Sequence, residues 1–448
     1  MEFLGSGAAR RATTFFALAI VVGAILLALP FSASSERIDL VDALFTATSA
    51  VCVTGLTVVD TGKDFSTFGQ IVILLLIQLG GIGLMTITSA LLLSLGGRLS
   101  LGDRYGLSTG YSASESVPTV SLLKAIIATV LVVELLGAAA LFFRFSGTQS
   151  AGQAAWHAVF HSVSAFCNAG FSGFSENFRG YYNDPLTLMI VALLIITGGI
   201  GFVVIREVCI KAARWNVRFS LHSKLALSTT AVLLLVGTIG FLLAERNNTF
   251  AESSWLVSVS NAFFQSTTCR TAGFDSIAQA SLTDISLVLS VLLMFIGGSA
   301  GSTAGGIKTT TAAILSIVAF HRLRGARSLR AFRSTISLES ATKAMILALA
   351  AVTVVVVGAL ALMMTAAPPT TYTYTHGQFM ECVFEVVSAL GTVGLSMGLT
   401  PYLGDAGKLV LVALMFIGRV GLITLVIALA TRPPAGEITY LEEDVMVG

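Results

Sequence analysis

Four short segments of this 448-residue chain line up on a single glycine, and any fold must account for all four at once. They are Ser49-Ala-Val-Cys-Val-Thr-Gly55-Leu56, Ser164-Ala-Phe-Cys-Asn-Ala-Gly170-Phe171, Thr267-Thr-Cys-Arg-Thr-Ala-Gly273-Phe274 and Ser388-Ala-Leu-Gly-Thr-Val-Gly394-Leu395. Each has Ser or Thr six residues before the glycine, Ala or Thr five before it, and Leu or Phe directly after. Self-similarity at a wide period marks an architecture built from repeated units. Close helix packing through a small residue would account for any one of these glycines. It would not account for four in the same register.

The surroundings repeat as well. A short amphipathic stretch, such as 39–49 or 156–165, precedes each glycine, and at 1.5 Å per residue such a helix reaches about half-way through a bilayer. Long runs with few or no charges flank these units at 13–30, 68–97, 126–143, 186–205, 286–306, 344–367 and 409–430. Runs of about 18 or more apolar residues are long enough to cross a hydrocarbon core. With 55% hydrophobic and only 11% charged residues, the chain has too little charge to cover a soluble surface of this size. The predicted pattern is helix, half-helix, loop, helix, four times over. That gives an all-α membrane protein with eight transmembrane helices and four re-entrant half-helices, pseudo-fourfold around one pore.

The predicted units are 1–97, 98–214, 215–335 and 336–432, carrying Gly55, Gly170, Gly273 and Gly394 in turn, followed by a C-terminal tail at 433–448. With the N-terminus in the cytoplasm, most Lys and Arg fall on inner segments, including Arg10, Arg11, Arg214, Arg218 and the run from Arg322 to Arg333. That bias obeys the positive-inside rule and places the glycine loops on the outer side of a multi-pass plasma-membrane protein, with both termini cytoplasmic. The five cysteines are odd in number and form no CxxC; they read as small buried apolar residues rather than a disulfide or zinc framework.

Irregular backbone at membrane depth is tolerated only where protein buries it or water lines it. Four loops converging on an axis meet that condition, and glycine frees the backbone to turn its carbonyls inward. Rings of carbonyl oxygen replace the hydration shell of a monovalent cation. Within five positions of the four glycines the charged residues are Asp60, Arg270 and Asp275, too few carboxylates for a calcium or magnesium site. The ion-binding residues predicted from this pattern are Val53, Thr54 and Gly55; Asn168, Ala169 and Gly170; Thr271, Ala272 and Gly273; and Thr392, Val393 and Gly394.

The strings Val-Thr-Gly-Leu-Thr-Val-Val-Asp-Thr-Gly at 53–62, Phe-Cys-Asn-Ala-Gly-Phe-Ser at 166–172, Arg-Thr-Ala-Gly-Phe at 270–274 and Gly-Thr-Val-Gly-Leu-Ser-Met-Gly-Leu-Thr-Pro at 391–401 resemble the four filter loops of the Trk/Ktr/HKT potassium transporter superfamily. Further matches lie at 77–83, 197–202 and 415–421, so the resemblance runs from about residue 14 to residue 430. Length and short inner loops are most similar to the Ktr-type translocating subunit. The resemblance implies a bacterial potassium uptake system. Its membrane subunit is a homodimer with one pore per protomer, regulated by a cytosolic ring of nucleotide-binding subunits (the RCK type). It also leaves activation by Na+ open. In plant relatives serine at the first filter position tends to accompany sodium selectivity, so Gly55 implies K+ as the transported ion.

The second span of the third unit is interrupted by Gly297, Gly298, Gly301, Gly305 and Gly306, each costing about 1 kcal/mol in a helix relative to Ala. By resemblance this segment, 297–310, is an intramembrane gating loop, with Ser302, Thr303 and Lys308 among its residues. Arg419 lies mid-span in an apolar run, where a charge is costly and marks function. The resemblance places it below the filter as part of the gate. The loop is not a phosphate cradle: Ile307 follows 301–306 where a P-loop needs Lys, and no strand precedes it. No nucleotide is therefore expected on this chain.

Arg270 is expected to brace loop carbonyls and a neighbouring carboxylate, with Glu385 as candidate partner. Glu134 reads as a structural hydrogen-bonding group, or as the proton-linked residue of a K+/H+ or K+/Na+ symporter. His157 and His161 stand i, i+4 without further ligands nearby, and Asp39 and Asp42 read as helix-capping charges. The basic run 322–333 suits anionic headgroups of the lipid bilayer and a cytosolic regulator alike. No nucleophile–base set is evident, so the chain does not read as an enzyme. No nucleic-acid partner is expected.

Overall fold

The computed structural model describes residues 2–34, 37–96, 119–213, 218–326, 328–366 and 377–421. The expected unit boundaries at 97/98, 214/215 and 432/433 and the tail 433–448 lie outside these residues. The described chain is overwhelmingly helical. Long helices α1 (Glu2–Leu27), α4 (Thr119–Phe145), α8 (Leu221–Ala244) and α12 (Leu338–Ala366) each lead into a short one: α2 (Leu40–Val51), α5 (Ala151–Phe166), α9 (Trp255–Thr268) and α13 (Gln378–Gly391). After each glycine loop the chain turns into a further helix: α3 (Thr67–Gly96), α6 (Pro185–Ile200), α10 (Asp284–Phe295) and α14 (Asp405–Phe416).

Packing closes these units into a ring. Each short helix touches the long helix before it, and the outgoing helix of one unit packs on the short helix of the next: α3 on α5, α6 on α9, α10 on α13, and finally α14 on α2. The largest core cluster spans this closure, joining Phe16, Phe45 and Ile77 to Phe160 and Phe166 on one side and to Cys382, Leu411 and Leu414 on the other. At the seam, Lys408 at the start of α14 forms an ion pair with Asp42 in the first turn of α2. Asp39 caps α2 by accepting from the Val41 amide.

The outward surface is apolar. In the long spans 67–89, 123–145, 221–244 and 338–365, only 22–50% of the most apolar window is buried, and side chains such as Leu135, Leu136 and Leu349 stand out from the bundle. Apolar area of that extent is stable against lipid rather than water. Among the described residues those four helices pass as full spans by length and composition, a fifth passes as a bent pair, and further apolar stretches such as 12–27 are shorter.

The bend corrects the expectation of an unbroken span over 186–205. α6 stops at Ile200, Gly201 takes φ +95°, and α7 (Phe202–Ala213) leaves at 104°. The cause is the third unit's glycine-rich segment: Gly301 presses against the break, and its carbonyl accepts from the Phe202 amide at 3.0 Å. A Cβ on Gly201 would stand 3.0 Å from the Ala300 and Gly301 carbonyl oxygens. Gly201→Ala should therefore cost about 1–3 kcal/mol of stability from backbone strain alone, read as a lowered melting point of the detergent-purified protein. A second correction follows from the same bend. Cys209 on α7 is exposed, whereas Cys52, Cys167, Cys269 and Cys382 are buried as expected.

The run 286–306 ends its helix at Phe295, where its glycines predict an interruption, and an irregular segment over 296–308 leads into α11 (Thr309–Leu323). A two-stranded hairpin, β1 (Arg330–Ala331) with β2 (Ser334–Thr335), carries part of the basic run into α12. Arg327 is outside the described residues.

Candidate functional site

The four short helices end at the glycine segments, and their C-terminal negative poles converge there. A Cβ built on Gly55 would sit 2.9 Å from the Gly170 Cα; one on Gly170, 2.9 Å from the Gly273 Cα; one on Gly273, 3.1 Å from the Gly394 Cα; one on Gly394, 3.0 Å from the Gly55 Cα. The four glycines thus form a closed ring in chain order, each abutting the backbone of the next. All four have positive φ, between +70° and +96°.

The residue two before each glycine is also left-handed: Val53 (φ 56°), Asn168 (61°), Thr271 (70°) and Thr392 (50°). Only asparagine among these tolerates that region easily; for β-branched Val and Thr it is strained, by about 1–3 kcal/mol each. Sequence reasoning did not find this feature, because Val and Thr give no signal for it. The predicted residues therefore come together as twelve contiguous ring positions, all buried, and they share a conformation as well as a place.

Local hydrogen bonds hold that conformation. The shared serine six residues before the glycine donates or accepts at the turn: Ser49 Oγ accepts from the Gly55 amide and Ser388 Oγ from the Gly394 amide, both at 3.0 Å. Its carbonyl accepts from the residue just before the glycine, at 2.8 Å for Thr54, Ala169 and Val393. Ser164 instead donates to the Phe171 carbonyl, and in the third unit Thr267 bonds Phe263 within its own helix, leaving the Thr268 carbonyl to accept from Ala272 and Gly273. The Thr54, Thr271 and Thr392 hydroxyls are buried without a hydrogen-bond partner.

Directly against the ring lies the segment 296–308. Its ends are tied by the Gly297 amide to the Ile307 carbonyl (2.9 Å) and the Thr309 amide to the Gly298 carbonyl (3.0 Å). Its middle reaches the second unit through the Ser299 amide to Gly199 (2.8 Å) and the Thr303 hydroxyl to Phe166 (3.2 Å). Gly305 fits against Thr392 of the fourth unit so closely that any side chain there would collide with its hydroxyl. Lys308 Nζ donates to the Ala304 and Gly305 carbonyls (2.6 and 3.3 Å), and Ser302 Oγ to Ser299 (2.6 Å).

Arg419 also fastens this segment. It is 1% exposed and sits in a π-helical turn, Ile417–Gly421; its Nη1 donates to the Thr303 carbonyl at 2.5 Å and its Nη2 to the Gly80 carbonyl at 3.1 Å. The register explains its position. Gly80, Gly198 and Gly418 each nestle on the last turn of a short helix, against the Val51, Phe166 and Leu390 carbonyls. The next residue is Gly81, Gly199 and Arg419 respectively, and Gly298 follows Gly297 in the third unit. Arg419 thus occupies the place that glycine holds elsewhere.

One expected pairing is absent. Arg270 does not meet Glu385: its Nη2 contacts the Thr230 hydroxyl (3.3 Å) and the Gly297 carbonyl (3.5 Å), linking loop three to the segment beside it. Glu385 instead accepts from Ser396 (2.5 Å) and Thr400 (2.7 Å). Glu134 accepts from Gln78 Nε2 at 2.6 Å, and Gln78 in turn accepts from the Cys167 thiol at 3.1 Å. His161 uses both ring nitrogens, on the His157 carbonyl and on Ser172, and no cluster of three metal-ligating side chains occurs among the described residues.

A family model described as TrkH, cation transport protein, matches residues 9–440. The chain belongs to the TrkH cation-transport family. By family, then, it is an integral membrane transporter and not an enzyme. Among TrkH-family relatives it is 40% identical to the potassium/sodium uptake protein NtpJ of Enterococcus hirae, over 98% of this chain and 96% of that protein. It is 38% identical to the Ktr system potassium uptake protein B of Bacillus subtilis, over 97% and 95%. The crystal structure of the potassium transporter TrkH from Vibrio parahaemolyticus shares the fold, with TM-score 0.73 and 21% identity over 93% of this chain and 83% of that one.

Proposed function

We propose that this chain is the membrane-embedded, ion-translocating subunit of a bacterial potassium uptake system. The closed ring of four glycines carries the reading: each loop abuts the next, with no charged side chain among the twelve ring positions. Backbone carbonyls of 53–55, 168–170, 271–273 and 392–394 form the selectivity filter and replace the water around a dehydrated K+. Alternation of left-handed residues with an ordinary one between them is the kind of backbone that turns successive carbonyls to one side. Relatives named for potassium uptake, at 38–40% identity over nearly the full chain, support K+ as the cargo. The name of the Enterococcus relative adds sodium as a candidate second ion, as cargo or activator.

Beneath the filter, the segment containing Gly297, Gly298, Gly301, Ser302, Thr303, Gly305, Gly306 and Lys308 acts as the gate, latched shut by Arg419. Two cationic side chains, Lys308 and Arg419, hold its carbonyls, which closes the path both sterically and electrostatically. The four units, 1–97, 98–214, 215–335 and 336–432, are pseudo-repeats of an eight-span layout in which α6–α7 and α10–α11 are broken spans. The protein works as a homodimer in the plasma membrane, its termini cytoplasmic. A cytosolic nucleotide-binding ring docks on the basic surface around Arg322, Arg324, Arg330 and Arg333 and opens the gate.

A cell strain lacking its own K+ uptake should grow on low K+ when it expresses this chain. The current through purified protein in liposomes should reverse at the potassium equilibrium potential. A reversal potential displaced by an imposed proton or sodium gradient would instead favour a coupled symporter, with Glu134 as the coupling residue.

A further inference from the structure

The ring is fourfold in outline, but the supports behind it are not. Nine residues before each glycine, on the short helix, stand Thr46, His161, Phe264 and Glu385. Two residues past each glycine, on the limb leaving the ring, stand Thr57, Ser172, Asp275 and Ser396. In the second and fourth units these positions join. His161 Nε2 lies 3.0 Å from Ser172 Oγ, and Glu385 Oε1 accepts from Ser396 Oγ at 2.5 Å. Each serine hydroxyl in turn accepts from the amide four residues past the glycine, Phe174 at 3.0 Å and Gly398 at 2.9 Å.

The His161 and Glu385 side chains that anchor the braces are buried and fully committed. His161 Nδ1 faces the His157 carbonyl at 2.7 Å, so it must carry the proton, which leaves Nε2 as acceptor for Ser172 and for the Gly173 amide at 3.3 Å. The second Glu385 oxygen accepts from Thr400 at 2.7 Å, six residues beyond the glycine. His161 and Glu385 are both 0% exposed. The other two units lack this device. The Thr46 hydroxyl makes no hydrogen bond, and opposite Phe264 the limb residue Asp275 is held instead by Arg179 from the second unit's outer segment, at 2.6 and 2.8 Å. Since the ring closes in chain order, the second and fourth units face each other across it.

We infer that His161 and Glu385 are positioning residues that hold two opposite limbs of the ring from behind and thereby set its preference for K+ over Na+. The inference rests on the proposed K+ pathway. A carbonyl ring accommodates the smaller ion only by drawing inward. An inward shift of either limb breaks hydrogen bonds to a buried side chain anchored on a helix, and leaving such a group unsatisfied is costly. Braces on facing limbs resist contraction across the full width, which two neighbouring braces would not.

The test measures K+ and Na+ uptake per molecule in the membrane for the full chain and for Ser172→Ala, Ser396→Ala and the double variant. These changes delete one oxygen each and leave the buried His and Glu in place. Each single variant should lower the K+/Na+ ratio severalfold and the double by about tenfold or more. Ser172→Thr and Ser396→Thr, which keep the hydroxyl, should recover most of the ratio, and Thr46→Val should leave it unchanged. A purely structural role would reduce the amount of protein without moving the ratio. A double variant with the parent's ratio overturns the inference while leaving the pathway intact; a parent chain with no K+ uptake removes the pathway itself.

Discussion

Gly55→Ser should abolish the preference for K+ over Na+ and cut K+ uptake by about tenfold or more. Gly55 has φ +92°, and a Cβ there would collide with the Ala169 carbonyl and lie 2.9 Å from the Gly170 Cα. Any side chain must therefore push one wall of the ring into the next, on top of a strain of about 1–3 kcal/mol at a positive φ. The neighbouring carbonyl is itself a ring atom, so the disturbance falls on the proposed filter and not on a distant support. Growth on low K+ and ion uptake normalised to membrane protein report the effect. Unchanged ion preference in a well-expressed variant would mean that the ring is not the selectivity filter.

Arg419→Gln should raise the basal K+ flux of the subunit without its regulator by about ten- to a hundredfold. The guanidinium joins the Thr303 carbonyl of the glycine-rich segment to the Gly80 carbonyl of the first unit, across three stretches of chain far apart in sequence. Hydrogen bonds from a charged donor contribute about 1.5–3 kcal/mol, and their loss shifts a closed–open balance by the corresponding factor. The shorter, neutral glutamine cannot span both carbonyls. It also removes one of two positive charges from the path. Flux measured in liposomes, with and without an added cytosolic regulator, reads the change; a variant that conducts no more than the parent would assign Arg419 to packing alone.

The four glycine segments were legible in the sequence because a positive φ and a close backbone approach both call for glycine, so their common spacing shows in the residue string. The units' short helices and the interruption after Phe295 were legible for the same kind of reason: lengths and runs of glycine are local properties. What escaped depends on contacts between units. The run 186–205 carries Gly198, Gly199 and Gly201, but Gly80, Gly81 and Gly83 sit in an unbroken helix, so glycine alone did not single out the 104° break at Gly201, where the Phe202 amide meets Gly301, a hundred residues away. The strained φ of Val53, Thr271 and Thr392 runs against their residue types and is imposed by ring closure. Glu385 and Arg270 both look in need of a charged partner, yet Glu385 takes the Ser396 and Thr400 hydroxyls, and Arg270 reaches the Thr230 hydroxyl and the Gly297 carbonyl while its Nε has no partner; a sequence cannot rank such contacts against an ion pair. The exposure of Cys209 follows from the same unseen bend.

Only one of the four equivalent places beneath the ring carries an arginine, and this is possible because a single polypeptide supplies all four quadrants. A channel assembled from four identical chains would have to repeat that residue on every side, crowding four guanidinium groups around one narrow axis where their mutual repulsion would force the structure apart. In the proposed gate, gene-encoded asymmetry lets one quadrant serve as the bolt while three remain as clearance for it.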